Sequence, residues 1–494
     1  MKHLPSRAAL ALASAGLAGA AWAASLDLAG LDKGIDPCDD FYGYVNQRWI
    51  AANEIPGDRS TWGTAAIVAR GNEDMMLELM QASLAGSALP PVGSPERKVL
   101  EYFRSGMEEA NIRHWQLKPL APFLGPIAQL GDASALARLI GDLHTRGIRP
   151  GFVFGVSPDR KDSTRYIAEL GQGGLGLPDR DYYFLDDERS AKIRDAYRAH
   201  LARVLRVNGD DEAQAAANAA TILALETELA RASMTAVERR DLEKTYNKMT
   251  MAQLESSAPG FPWKAYFEAL GAGHAAELNV RQPAFLARFA QLVAERPIAD
   301  WRPYLRWHLL RETSTKLDPR YAAPHFDFYE RTLRGKTEPP ARARHVYDII
   351  SGPYGSEPMA EALGRLFVQQ RFPPEAKARA LELVRNVKAA LAERLRRVDW
   401  MTEETRARSL AKLAAMRVKI GYPDRWKDLT ESDVGARLFV ENWMAANIFA
   451  HRRDLGRIGK PVDRDEWYMS PHILNAYYSG SLNEIVFPAA ILQP

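Results

Sequence analysis

Cysteine is almost absent, Cys38 being the single one in 494 residues. A disulfide framework within the chain is therefore excluded. Taken by itself, Cys38 reads as a buried, inert thiol, the alternative being a partner outside this sequence. It lies in Asp36-Pro37-Cys38-Asp39-Asp40, an anionic setting in which a nucleophilic thiolate is poorly placed. Charge of one sign is missing as well, with 65 Lys and Arg against 62 Asp and Glu. No global field exists to recruit nucleic acid or acidic lipid. Beyond the N-terminus no run reaches the ~18 apolar residues that a bilayer span needs. No fixed-period repeat is visible, and no Gly-x-Ser-x-Gly elbow offers a serine nucleophile. There are ten histidines, but no two lie three to five residues apart and none is followed by glutamate. Two zinc ligands cannot then project from one turn of helix, and no metal-ligating or catalytic residue is assigned.

What is present is an ordinary globular balance, 46% apolar and 26% charged, long enough for two or three domains. Lys2 and Arg7 precede an alanine-rich apolar stretch, Ala8 to Ala21, followed by Ala21-Trp22-Ala23. This pattern predicts a signal peptide over 1–23, cleaved after Ala23 or Ala24, and an exported product, periplasmic or extracellular. From about Glu96 the pattern is mostly helical. Ala380, Val384, Val387, Leu391, Leu395 and Val398 recur at spacings of three and four, which predicts an amphipathic helix over 375–398. A second helix starts at the N-cap Thr402 and is expected to end at Gly421 and Pro423. Phe152–Val156 and Thr164–Leu170 flank a turn-rich Asp-Pro run and predict a hairpin. A second hairpin is expected from His472–Tyr478 and Glu484–Phe487 around Ser479-Gly480-Ser481. Tyr422 to Asp433, rich in turn formers and mixed charge, marks a junction, with the boundary set at about 435.

Three further features carry little chemistry. Gly171-x-Gly173-x-x-Gly176 follows a strand but runs into Leu177-Pro178-Asp179, a turn and not the helix a pyrophosphate requires, so it reads as a plain glycine loop. His325-x-Asp327 places two metal-capable groups on alternate residues of an extended segment, and such pairs are commonly structural. Glu238 to Lys244 mixes both signs and reads as a solvated helix face with local ion pairs. The terminal hairpin says more. Its strands can pair with each other or with a peptide laid alongside, and an asparagine at that edge offers a donor and an acceptor to a peptide backbone.

Asn475-Ala476-Tyr477-Tyr478 and Asn483-Glu484-Ile485-Val486-Phe487-Pro488-Ala489-Ala490-Ile491-Leu492-Gln493-Pro494 closely resemble the segment before the zinc motif of neprilysin-like endopeptidases, peptidase family M13. The resemblance extends back through Asp36-Pro37-Cys38-x-Asp40-Phe41-Tyr42, Leu175 to Tyr183, Lys244-x-Tyr246-Asn247, Trp400-Met401 and Ile420-Gly421-Tyr422-Pro423. It implies a mainly α fold: a large helical capping domain, here 36–435, and over 436–494 the first strands of an incomplete thermolysin-like α+β catalytic domain. It implies zinc as cofactor, an oligopeptide as substrate, and Asn475 and Ala476 as the residues that hold the substrate main chain. The family's His-Glu-x-x-His helix, third zinc ligand and downstream histidine and arginine would fall after Pro494. The expectation is therefore an N-terminal portion that binds no zinc and is inactive alone. A non-catalytic periplasmic peptide-binding or regulatory protein is the alternative. Thr61 and Ala66 stand where neprilysin has an arginine and an aspartate in its substrate pocket, and in the family the cysteine matching Cys38 pairs with one near the C-terminus.

Overall fold

The computed structural model describes residues 28–86 and 89–493. The expected signal peptide and its cleavage site lie outside them. The chain divides into two compact units, one ending at Pro56 and one beginning at Gly57. In the first, the helix Phe41–Ala52 is capped by the Asp40 carboxylate, which accepts from the Gly43 amide. Cys38 stands just before it and is exposed, not buried as expected. Asp36 accepts from the Cys38 amide at 2.8 Å, so the segment is held by an Asx turn at the surface and not by packing around sulfur.

The second unit is mainly α, as predicted, with two small sheets. Its first sheet has the order β1-β2-β4-β3, with β1 Phe152–Pro158, β2 Tyr166–Gln172, β3 Lys248–Thr250 and β4 Glu277–Val280. The predicted hairpin is β1 against β2, antiparallel from Phe152↔Gln172 to Pro158↔Tyr166. Its turn forms because the Asp159 carboxylate accepts from the Lys161 and Asp162 amides at 2.9 and 3.3 Å. Behind it Phe152 meets Tyr266 and Phe289 edge-on at 5.0 and 5.1 Å, a buried aromatic centre for the surrounding helices.

Gly171 lies in β2, and the chain from Gly173 to Gly176 is a loop with no helix opening in it. A Cβ on Gly176 would stand 1.8 Å from the Tyr197 hydroxyl, so only hydrogen fits there. The Gly176 and Leu177 amides donate to the Tyr183 hydroxyl at 3.2 and 3.1 Å. Tyr183 and Tyr197 in turn donate to the fully buried Glu226 carboxylate, each at 2.8 Å. Those amides are engaged within the fold and none is left for a phosphate. The Glu238–Lys244 cluster is not a helix face. It makes a single 3-10 turn, Glu238–Arg240, and its charges reach out to Asp179 and Lys161.

Towards the C-terminus the helix predicted over 375–398 spans Pro374–Arg397. None of its residues is buried, and its apolar stripe is solvent-facing, with Leu383 61% and Val387 59% exposed. The next helix, Glu403–Ala415, stops earlier than expected. Gly421 does not cap it, because Arg417–Gly421 forms strand β5. Gly421 ends that strand instead, with φ +76° and the Phe372 ring where a Cβ would go. Residues 422–438 then run as irregular chain, pinned by Lys98, whose ammonium donates to the carbonyls of Leu429, Thr430 and Ser432 at 3.1, 2.5 and 2.6 Å.

The second sheet has the order β5-β7-β6, with β6 Tyr477–Ser479 and β7 Glu484–Pro488. β7 is central, parallel to β5 from Arg417↔Glu484 to Gly421↔Pro488 and antiparallel to β6 from Tyr477↔Val486 to Ser479↔Glu484. The second hairpin is therefore real, but its first strand is shorter than expected. The chain from His472 to Asn475 curls, the Ile473 amide donating to Ser470 O at 3.1 Å and the Asn475 amide to Ile473 O at 2.9 Å. Anchoring of the His472 ring fixes that curl.

Candidate peptide-binding edge and its cleft

β6 is an edge strand, so half of its N–H and C=O groups point away from β7, and among the described residues no strand pairs with them. Asn475 and Ala476 lead directly into this edge, both half-buried. The Asn475 side-chain oxygen accepts from the Ala476 amide at 2.8 Å, which presents its amide nitrogen without a hydrogen-bond partner. The two sequence-identified residues are thus together at the start of the open edge. Tyr477 is tied back, its hydroxyl accepting from the Tyr468 amide at 3.1 Å.

Beneath the strand lies a pair that the motif did not single out. Lys419 of β5 and Glu484 of β7 are diagonal neighbours on one face, 8% and 0% exposed, with Nζ 2.8 Å from Oε2. The same ammonium donates to Glu466 O at 2.8 Å. Burial lowers the Lys419 pKa, and the Glu484 carboxylate works against that shift.

Beside the edge opens a cleft of about 400 Å³. Its walls are the helices Thr64–Ala85 and Arg342–Ser351, the turn Gly352–Tyr354 and the segment His472–Leu474. His472 joins the last wall to the helix. The Ser470 hydroxyl donates to Ala360 O at 2.8 Å, so it accepts from the imidazole Nδ1–H at 3.0 Å. The other ring nitrogen, Nε2, then accepts from the Ser351 hydroxyl at 2.9 Å, an assignment that follows from the network. Burial pushes the His472 pKa down to about 3, so the ring is neutral at physiological pH.

One flank of the cleft carries a charge network. The buried Arg344 reaches Glu73 at 2.5 Å, Asp74, and Asp58 at 3.9 Å. Arg59 reaches Glu73 at 2.5 Å and Arg70 reaches Asp58 at 2.9 Å. Asp348, on the same helix as Arg344, is exposed and lines the cleft with a carboxylate that makes neither a hydrogen bond nor an ion pair. Thr61 and Ala66 are not among the lining residues, although Ala66 lies one turn before Ala69, which is. No sequence pattern groups these segments, because positions 59–73, 347–354 and 472–474 meet only in the fold.

The remaining sequence candidates do not assemble a site. His325 ends a helix and packs on Tyr329 at 4.7 Å, while Asp327 lies on the following π-helical turn and pairs with Arg203 at 2.7 Å. The segment is helical, not extended, and the two side chains serve different neighbours. Among the described residues no three His, Cys, Asp or Glu side chains converge to hold a metal ion. No helix among them is long and apolar enough to cross a membrane.

A mainly helical body thus carries a small sheet whose open edge is flanked by a cleft. The model of peptidase family M13, its N-terminal part, matches residues 37–423, and the chain belongs to that family. It is 31% identical over 490 residues to endothelin-converting enzyme-like 1 of Rattus norvegicus, across 94% of this chain and 61% of that protein. Endothelin-converting enzyme 1 of Homo sapiens is similar at 31% over 489 residues, again 94% and 61%. The chain thus spans about 61% of the length of these curated relatives. Among solved structures, Mycobacterium tuberculosis zinc metalloprotease Zmp1 in complex with inhibitor superposes with a TM-score of 0.87 at 39% identity, over 95% of this chain and 70% of that one. PepO from Lactobacillus rhamnosis HN001 gives a TM-score of 0.79 at 22% identity, over 93% and 72%, a likeness of fold.

Proposed function

We propose that this chain forms the peptide-holding wall of an exported M13 zinc endopeptidase that acts on oligopeptides. An extended peptide adds to the outer edge of β6, its main chain held by Asn475 and Ala476. The observation that carries this reading is the open edge led by an asparagine whose amide nitrogen has no partner. Main-chain pairing supplies affinity that does not depend on the peptide's sequence, as a peptidase of varied oligopeptides requires. Residues 36–435 act as the helical cap and 436–494 as the start of the catalytic domain, with 1–23 directing export. In this reading the described residues hold the peptide, and the zinc chemistry of the family would be supplied by residues other than these.

Fluorescence anisotropy of a blocked, labelled octapeptide on purified residues 24–494 tests the reading. Saturable binding is expected, weakened by Asn475→Ala about tenfold, the size of one lost hydrogen bond to a ligand backbone. Absence of binding, or binding untouched by that substitution, overturns it. Zinc-dependent, chelator-sensitive cleavage by the same preparation would overturn the claim that cutting belongs elsewhere.

A further inference from the structure

The cleft beside Asn475 contains one uncompensated charge. On its charged flank the guanidinium groups of Arg59, Arg70 and Arg344 are each paired with Asp58, Glu73 or Asp74. Asp348 is left over, three cations standing against four carboxylates, and it has no partner within ion-pair distance. The other walls are largely apolar: Ala69, Pro353, Tyr354, Ile473 and Leu474. Apolar walls beside an exposed, unpaired carboxylate match a long aliphatic stem with a cationic head. Tyr354 supports that match from the rim. It is 66% exposed and held at φ +58° between Gly352 and Gly355, a backbone state that non-glycine residues rarely take and that holds its ring at the cleft mouth. An aromatic face there can stack on a passing ammonium or guanidinium.

We propose that this cleft is a side-chain subsite of the bound peptide, selective for lysine or arginine, with Asp348 as the carboxylate that pairs with the cationic head. The inference rests on the reading that the peptide lies along β6, since Ile473 and Leu474 of the cleft run straight into Asn475. It also carries a pH dependence. The Asp348 carboxyl is raised to about 7 by the dense protein wall around it and by Glu73, against Arg59, Arg344 and Lys336. Glu73 and Arg59 face it across the cleft, Arg344 and His345 flank it on its own helix, and Lys336 approaches from the loop after the π-helical turn. His345 is lowered by burial and His472 is down at about 3, so neither gains charge between pH 6.5 and 8. A lysine on the peptide stays cationic throughout that range. Selectivity for it therefore rises as pH passes 7 and Asp348 ionises.

The test walks one lysine, and separately one norleucine, along blocked and labelled Ala-Ser octapeptides and measures binding to residues 24–494 by anisotropy. At one position lysine should bind about tenfold tighter than norleucine at pH 8, the size of a partly desolvated ion pair, with the ratio shrinking towards one at pH 5.5. Asp348→Asn should abolish the ratio at every pH, Asp348→Glu should retain part of it, and thermal melts report whether each variant is folded. Asn475→Ala should weaken lysine and norleucine peptides alike and keep the ratio. Equal binding of the two series at every position, or a ratio that survives Asp348→Asn, overturns the subsite while leaving the peptide edge standing. Failure of every peptide to bind overturns both.

Discussion

Replacing Lys419 by methionine removes the β5 cation that faces Glu484 and leaves Glu484 with no accessible surface and no counter-ion. At 2.8 Å the attraction between the two charges is about 6 kcal/mol at an effective dielectric constant of 20, before desolvation is subtracted. Breaking such a pair from one side typically costs about 3–5 kcal/mol, because the remaining charge stays buried alone. Replacing both partners by apolar groups of similar volume should cost about 1 kcal/mol or less. Native-state hydrogen exchange of the Glu484–Pro488 amides reads this locally, without assuming that a chain of two units unfolds in one step. Lys419→Met should lower protection there by roughly 10² to 5 × 10³, the fold-change equivalent of that cost. The Lys419→Met/Glu484→Leu double variant should restore most of it. If the double variant loses as much protection as Lys419→Met alone, the pair is not what makes the single change costly, and the reasoning fails.

Gly176→Ala drives a methyl group into the Tyr197 hydroxyl and displaces it from Glu226, combining overpacking with a lost charge-assisted hydrogen bond; a loss of about 3–5 kcal/mol is expected in chemical denaturation. Lys98→Met strips a cation from three loop carbonyls, and limited proteolysis should then cut within residues 422–433 at least tenfold faster than in the parent, for a local loss of about 2 kcal/mol. His144, His200 and His472 are each buried and pushed down to about 3, below the unfolded value of 6.5. The unfolded chain therefore takes up their protons first, so the stability they confer is present above pH 6.5 and is lost as pH falls towards 3. Near-UV circular dichroism should show acid unfolding setting in between pH 6 and 4, and His472→Asn should shift that onset to lower pH.

Local pattern made the hairpin β1–β2 and the helices Pro374–Arg397 and Glu403–Ala415 legible, because each satisfies its own backbone and announces its period within about twenty residues. The helices Phe41–Ala52 and Thr64–Ala85 precede the point where the helical pattern becomes plain, and the sequence reading passed over them. β5 was missed for a different reason. Arg417-Val418-Lys419-Ile420-Gly421 follows a helix and ends in Gly and Pro, which imitates a helix cap, while its partner β7 lies more than sixty residues away. Asn475 and Ala476 are singled out by their motif alone, since nothing in their spacing distinguishes a peptide-binding edge, which is proposed, from an ordinary hairpin. The cleft was not legible at all, its walls coming from three distant stretches of chain.

The buried ion pair and the edge strand belong to one problem. A slip of one residue between β5 and β7 would carry Lys419 to the opposite face and leave Glu484 buried alone. The pair therefore penalises a one-residue slip, and fixing register is a use better attested for buried charges than added stability. Register matters here because, among the described residues, β7 is the only strand that pairs with β6, and Asn475 and Ala476 lead into β6. A strand that offers its backbone to a peptide must hold its groups in phase with the incoming chain, and it gains nothing from a sheet that can slide. The Lys419→Met/Glu484→Leu chain separates the two roles: it should recover protection in β7 and still bind the labelled octapeptide more weakly than the parent if register is what the charges secure.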